Sequence, residues 1–174
     1  MVNGMKTSHL ISLGIAVLAA LTLVPASYAV DPERQPYEEA YKIDNGIREV
    51  APRFGGPLAT DPGGGGGCWG KELLRSKGTF PYGRRLFLYT VWCGSGGLIT
   101  YRASSVRTDH DVLCWNTSGP YAAKTAGGAG WTWVQVQAWV DVACHSPWWF
   151  DWHDSLMMRV NYYPNGVYET VAWS

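Results

Sequence analysis

The clearest hydrophobic pattern in the chain is a strict alternation over residues 131–144. One set of alternate positions is mostly small and aliphatic: Thr132, Val134, Val136, Ala138, Val140 and Val142. The intervening set combines aromatic rings with amides and one carboxylate: Trp131, Trp133, Gln135, Gln137, Trp139 and Asp141. Because successive side chains of a strand point to opposite faces, this segment is predicted to be a strand whose aliphatic face lies in a core.

Four further segments are predicted to be strands, namely residues 84–93, 98–107, 156–163 and 167–173. Residues 94–97 and 164–166 are rich in glycine, asparagine and proline, as is typical of hairpin turns. Residues 71–77 are predicted to form one or two helical turns, and residues 116–130 a loop. Strands joined by short turns predict an all-β fold, either a small antiparallel β-sandwich or a small barrel.

The N-terminal residues 1–29 have the pattern of a signal peptide. Lys6 and His9 precede an uncharged apolar stretch of about 15 residues, and small residues before Ala29 suit a signal peptidase. The stretch is shorter than the roughly 20 residues that a membrane-spanning helix needs. We therefore expect a mature chain that is secreted, extracellular and without a membrane span.

Residues 30–67 are predicted to be a flexible acidic arm that ends in a Gly- and Pro-rich linker. Within the arm, residues 36–45 could form a short helix, with proline in its first turn and Asn45-Gly46 as its end. The β-domain is therefore expected to span residues 68–174.

The four cysteines of an exported chain are expected to form two disulfides. If the strand that ends at Cys93 points up, the next strand returns and the strand over residues 131–144 climbs again. Cys93 and Cys144 would then lie at one end of the domain, and Cys68 and Cys114 at the other. The predicted disulfides are Cys93–Cys144 and Cys68–Cys114, and no Cys-x-x-Cys pair points to a metal site.

Composition narrows the function classes. The formal net charge is zero and 16% of residues are charged, which argues against a nucleic-acid binder.

Residues 65–71 have the spacing of a phosphate-binding loop that ends at Lys71. Glu72 occupies the position where such a loop needs a Ser or Thr hydroxyl to bind magnesium, so no cofactor is expected. All ten tryptophans follow Cys68, which directs attention to the aromatic surface of the domain.

The aromatic and amide face of residues 131–141 suits a sugar, because flat rings pack on C–H groups and amides bond hydroxyls. The first hypothesis is therefore a non-catalytic domain that binds a polysaccharide or cell-surface ligand through Trp131, Trp133, Gln135, Gln137, Trp139 and Asp141. The alternative is that the arm or another sheet covers this face and that the amides are satisfied internally.

Trp148, Trp149 and Trp152 form a second aromatic cluster between two predicted strands. Contiguous apolar surface of this kind can be a binding rim, a contact for self-association, or a plug that closes the sandwich. The rim or contact would make the protein a structural or partner-binding extracellular protein.

The third hypothesis is a small secreted hydrolase. Its candidate catalytic residues are His110, His153, Asp151 and Asp154, since histidine next to carboxylates can act as a general base. No nucleophile elbow or zinc-protease motif supports it.

Overall fold

The structure is a computed structural model that describes residues 44–51, 66–146 and 151–173, with side chains to residue 171. The predicted signal peptide and most of the predicted linker lie outside these residues. Within the described ranges, no helix is long and apolar enough to cross a membrane.

Within these described residues, eight strands form two antiparallel sheets. They are β1 (Asp44–Val50), β2 (Gly66–Lys77), β3 (Arg84–Ser95), β4 (Leu98–His110), β5 (Cys114–Gly127), β6 (Val134–His145), β7 (Asp151–Tyr162) and β8 (Tyr168–Trp173). Sheet one has the order β1-β2-β3-β4 and sheet two the order β5-β6-β7-β8, so each is a simple meander. The predicted all-β class is confirmed.

The core lies between the inner faces of the two sheets. Sheet one contributes Leu73, Leu86, Leu88 and Trp92, and sheet two contributes Val134, Val136, Val140, Leu156, Met158 and Val160. The alternation in β6 therefore buries its aliphatic set as predicted. Thr132 is exposed instead, because it lies in the turn before β6 begins.

Two segments that were predicted to be helix or loop are strands. Residues 71–77 belong to β2, where adjacent Leu73 and Leu74 are both buried and hide the period of two. Residues 116–127 belong to β5, whose pairing with β6 shifts register at three places. Each shift interrupts the alternation of faces, so β5 has no simple strand pattern in the sequence.

The predicted arm also contributes to the fold. Asp44 and Asn45 begin β1 rather than ending a helix, and β1 pairs with β2 at the edge of sheet one. Ile47 packs against the core from this strand, which supplies the tertiary contact that a short isolated helix would lack. Residues 36–43 of the predicted helix lie outside the described residues.

The two disulfides join neighbouring strands within each sheet. Cys68 faces Cys93 across β2 and β3, and Cys114 faces Cys144 across β5 and β6. The predicted pairs Cys93–Cys144 and Cys68–Cys114 are therefore wrong. The cause is β5: an additional strand before β6 reverses its direction, so Cys144 lies at the opposite end of the sandwich from Cys93.

The two ends of the sandwich interior differ in chemistry. At the Cys68 end, inward-facing rings form a chain of contacts: Trp69 with Trp92, Trp92 with Tyr162, and Tyr162 with Tyr168. At the Cys114 end, buried arginines meet carboxylates: Arg75 binds Asp44, and Arg84 binds Asp154. At this end each of the two buried guanidinium groups therefore has a carboxylate partner.

Candidate functional site

The outer face of sheet two carries the polar and aromatic set of β6. Because β6 is paired on both sides, its outward residues are extended into rows by β5 and β7. Across the three strands the rows are Ser118, Asp141 and Ser155; Tyr121, Trp139 and Met157; Ala123, Gln137 and Arg159; and Ala126, Gln135 and Asn161. We call this surface the sheet-two face.

An aromatic pair stands near the middle of the sheet-two face. The rings of Tyr121 and Trp139 have centroids 5.3 Å apart and planes inclined by 35°. Tyr121 is 50% exposed, and Trp139 and the neighbouring Met157 are half-buried. The pair therefore presents flat apolar surface to solvent from a rigid sheet rather than from a loop.

The polar side chains of the face bond one another. Gln137 Oε1 accepts from Arg159 Nη2 at 2.8 Å and from Nε at 3.2 Å. Gln135 accepts from the Thr125 hydroxyl and donates to Asn161 Oδ1, both at 2.9 Å. These bonds hold the amides in fixed orientations beside the aromatic pair.

On the acidic side of the aromatic pair, the Ser155 hydroxyl donates to Asp141 Oδ1 at 2.6 Å. Asp141 and Ser155 also line a groove of about 570 Å³ with His153, Asp154 and Lys77 among its walls. The sheet-two face therefore has a carboxylate on one side of its aromatic row and a guanidinium on the other.

The remaining predicted binding residues of this segment lie near the Cys68 end. Trp131 is 58% exposed in the turn before β6, and its carbonyl accepts from the Ile99 amide at 2.7 Å. Trp133 is half-buried. Sheet one packs on the opposite, aliphatic face of β6 and so does not cover the predicted face. Gln135 and Gln137 on that face bond neighbouring side chains of the same sheet.

The predicted aromatic cluster does not lie on the sheet-two face as a unit. Trp152 packs against the core and contacts Tyr82, with ring centroids 5.3 Å apart. Trp152 therefore covers the core at the Cys114 end of the sandwich. Trp148 and Trp149 lie outside the described residues.

The candidate catalytic side chains are spread over separate contacts. Asp151 Oδ1 lies 2.9 Å from His145 Nδ1 and accepts from it in the tautomer that carries the proton on Nδ1. Asp154 is held in ion pairs with Arg84 and Lys77. His153 lines the groove near Ser155, and no hydrogen bond joins them among the described residues.

His110 lies in a different part of the fold, at the end of β4. Its Nδ1 lies 3.3 Å from the Asp111 carbonyl oxygen, while the flanking Asp109 and Asp111 carboxylates both bind Arg85. Asp111 also accepts from the Gly83 amide, so these acids hold a turn. In the described part of the chain, no three histidine, cysteine or acidic residues form a potential metal site.

Sequence reasoning did not assign Tyr121, Met157, Arg159 or Asn161 to the face. Met157, Arg159 and Asn161 share one parity within the predicted strand over residues 156–163, so their common face could have been read there. Tyr121 could not be assigned in this way, because the sequence of β5 lacks a regular strand alternation.

Comparisons with protein-family models, curated proteins and solved structures found no match to this chain.

Proposed function

We propose that this protein binds carbohydrate, as a polysaccharide or a cell-surface glycan, through the sheet-two face. The observation that carries the proposal is the contact between exposed Tyr121 and half-buried Trp139 on the outer face of a regular sheet, bordered by oriented amides. No catalytic step is part of the proposal.

The chemistry of the face supports this ligand class. A sugar ring has an apolar side of C–H groups, which can pack on Trp139, and a rim of hydroxyls that both donate and accept. Gln135, Asn161 and Gln137 offer donors and acceptors at fixed positions, so little side-chain entropy remains to be lost on binding. Rows on the same face are about 7 Å apart along the strands, a spacing on the scale of one sugar unit.

Export of the chain is the second part of the proposal. Two disulfides are consistent with an extracellular or otherwise oxidising environment. We expect cleavage after Ala29, and N-terminal sequencing of protein collected outside an expressing cell should begin at Val30. A mature chain that retains residues 1–29 would contradict this part of the proposal alone.

Binding is tested by pull-down on insoluble polysaccharides, with a glycan array as a second screen. The Tyr121→Ala, Trp139→Ala double variant should weaken binding by about tenfold or more, because it removes the stacking surface. Tyr101→Ala is the matched control, since Tyr101 is an equally exposed tyrosine, 54%, on sheet one. Equal binding by the wild type, the double variant and the control on every ligand would overturn the proposal.

A further inference from the structure

Arg159 differs from most arginines of the domain in its partner. Both of its contacts, from Nε and Nη2, go to the neutral Oε1 of Gln137. Among the described residues no carboxylate lies within ion-pair distance of Arg159, and its Nη1 has no partner. By contrast, a carboxylate pairs with each of Arg75, Arg84, Arg85 and Arg107.

The guanidinium is nevertheless held in position. Two donors on one amide oxygen fix the plane of Arg159, and the side chain is half-buried on a strand paired on both sides. Gln137 itself is oriented by its place in β6. An immobilised cation without a counter-ion is a preorganised site for an anion, because the entropy of ordering the side chain is already spent.

Arg159 adjoins the aromatic pair. It faces Gln137, and Met157 two residues before it faces Trp139. Arg159 and Trp139 are therefore diagonal neighbours, about 7–8 Å apart at the backbone, which the long arginine side chain spans. Ala123 contributes only a methyl group to the row of Arg159, so β5 adds no bulky side chain there.

No described carboxylate of the face forms an ion pair with Arg159. Asp141 is on the far side of the aromatic row and accepts from Ser155. Glu169 faces Asn161, in the row next to that of Arg159, and accepts from the Tyr163 hydroxyl. Arg159 is therefore a positive charge without an ion pair, and it lies next to the aromatic surface. A ligand with one flat apolar side and an adjacent anionic group matches this arrangement.

We propose that the sheet-two face selects acidic polysaccharides, with a uronate ring on Tyr121 and Trp139 and its carboxylate on Arg159. This inference rests on the proposed carbohydrate binding and names its ligand class. A planar guanidinium binds a carboxylate more strongly than it binds a neutral hydroxyl. Of two sugars with the same ring shape, the one that carries a carboxylate is therefore bound more tightly than the neutral one.

The test compares polygalacturonate with its fully methyl-esterified form, which has the same sugar backbone without the negative charge. Full-length protein should bind the acid form about tenfold to a hundredfold more tightly by calorimetry at moderate salt. Arg159→Gln, which can still bond Gln137, should remove this preference. Arg48→Gln is the matched control, because Arg48 is exposed on sheet one and also has no carboxylate partner among the described residues.

Each outcome has a distinct meaning. Equal affinity for the two polymers, lost only in the Tyr121→Ala, Trp139→Ala variant, would overturn the charge selection and leave carbohydrate binding intact. Binding of the acid form that depends equally on Arg48 and Arg159 but not on the rings would be ion exchange, and would overturn both. Failure to bind either polymer would overturn the inference, and the wider glycan screen then judges the proposed function separately. The wild-type comparison of the two polymers decides the preference even if a variant does not fold.

Discussion

At Gly94, only a hydrogen fits between the two sheets. A Cβ built there would lie 2.2 Å from the carbonyl oxygen of Pro164, in the turn between β7 and β8. Two residues earlier on β3, Trp92 Nε1 donates to the carbonyl of Tyr163 at 2.8 Å. The turn of sheet two is thus held against sheet one by one hydrogen bond and one close backbone approach.

Gly94→Ala should therefore lower the free energy of unfolding by about 1–3 kcal/mol, the usual cost of overpacking. The added methyl meets backbone, which cannot rotate away. Urea denaturation followed by tryptophan fluorescence measures the change, with the neighbouring exposed Ser95→Ala as control. Similar stability of the two variants would contradict the close approach.

The charged end of the interior depends on Asp154. Its carboxylate binds Arg84, which is 1% exposed, at 2.9 Å and Lys77 at 3.3 Å. Asp154→Ala should cost about 1.5–3 kcal/mol of unfolding free energy, because buried Arg84 loses a charged hydrogen-bond partner. Asp109→Ala breaks the more exposed pair with Arg85 and should cost at most about 1 kcal/mol. The same denaturation assay compares them, and a larger loss for Asp109→Ala would refute this reasoning.

At the scale of the element, β5 decides the arrangement of everything after it. Its three register shifts and its glycines conceal it from pattern analysis, yet it forms the edge of sheet two and supplies Tyr121 and Cys114. With β5 in place β6 runs back toward the Cys114 end. The open side of the sheet-two face is consequently built from β5, β6 and β7 together.

Non-reducing peptide mapping tests this strand order. Cleavage between the cysteines should release linked peptides that contain Cys68 with Cys93, and Cys114 with Cys144, because the register places each pair on facing positions of adjacent strands. A sample reduced before digestion is the control. Recovery of a Cys93–Cys144 peptide would mean that β6 runs in the opposite direction.

At the scale of the whole molecule, Glu49 connects the open edges of the two sheets. From β1 it accepts from Lys71 at 2.6 Å on sheet one and from the Tyr168 hydroxyl at 3.0 Å on sheet two. The bond from Lys71 lowers the pKa of Glu49, burial opposes this, and the bond from Tyr168 lowers it further. Burial, and then the bond to Glu49, raises the pKa of Tyr168.

These shifts predict a pH dependence of stability. A carboxyl with a lowered pKa stabilises the fold above its unfolded pKa of about 4.3, and this contribution is lost as the pH falls through the folded value. Glu49→Gln should therefore melt below the wild type at pH 7, and the difference in Tm should shrink at pH 3. Glu169→Gln is the control, since Glu169 bonds a tyrosine but no cation. A difference that grows toward pH 3 would contradict the assignment.

On the alkaline side the sign is opposite. Burial raises the pKa of Tyr162, and Tyr168 shifts the same way, so both favour the neutral phenol in the folded state. Their contribution is present below the unfolded pKa of about 10 and is lost as the pH rises above it. Phenylalanine cannot ionise, so the Tm of Tyr168→Phe should fall less than the Tm of the wild type when the pH is raised from 9 to 11. An equal loss would show that Tyr168 does not contribute.

The alternation of apolar and polar residues correctly predicts which side chains are buried in strands that have one buried and one exposed face. The inward set from Val134 to Val142 and the glycine turn before Leu98 follow from such patterns. Periodicity failed for β2, where Glu72 and Leu74 are buried on the face opposite Leu73, and for β5, where bulges change the parity. In both strands the neighbours across the sheet, rather than the sequence, determine which side chains are buried.

The sequence by itself determined the all-β class, the strand character of residues 84–93 and 134–142, and the aromatic and amide composition of one face of β6. These properties depend on steric alternation along one strand, which a single segment contains. Strand direction, disulfide pairing and the make-up of the candidate site were decided by tertiary structure. Tyr121, Trp139 and Arg159 come from three different strands. Only the hydrogen-bonded register of these strands places the two aromatic rings and the arginine next to one another.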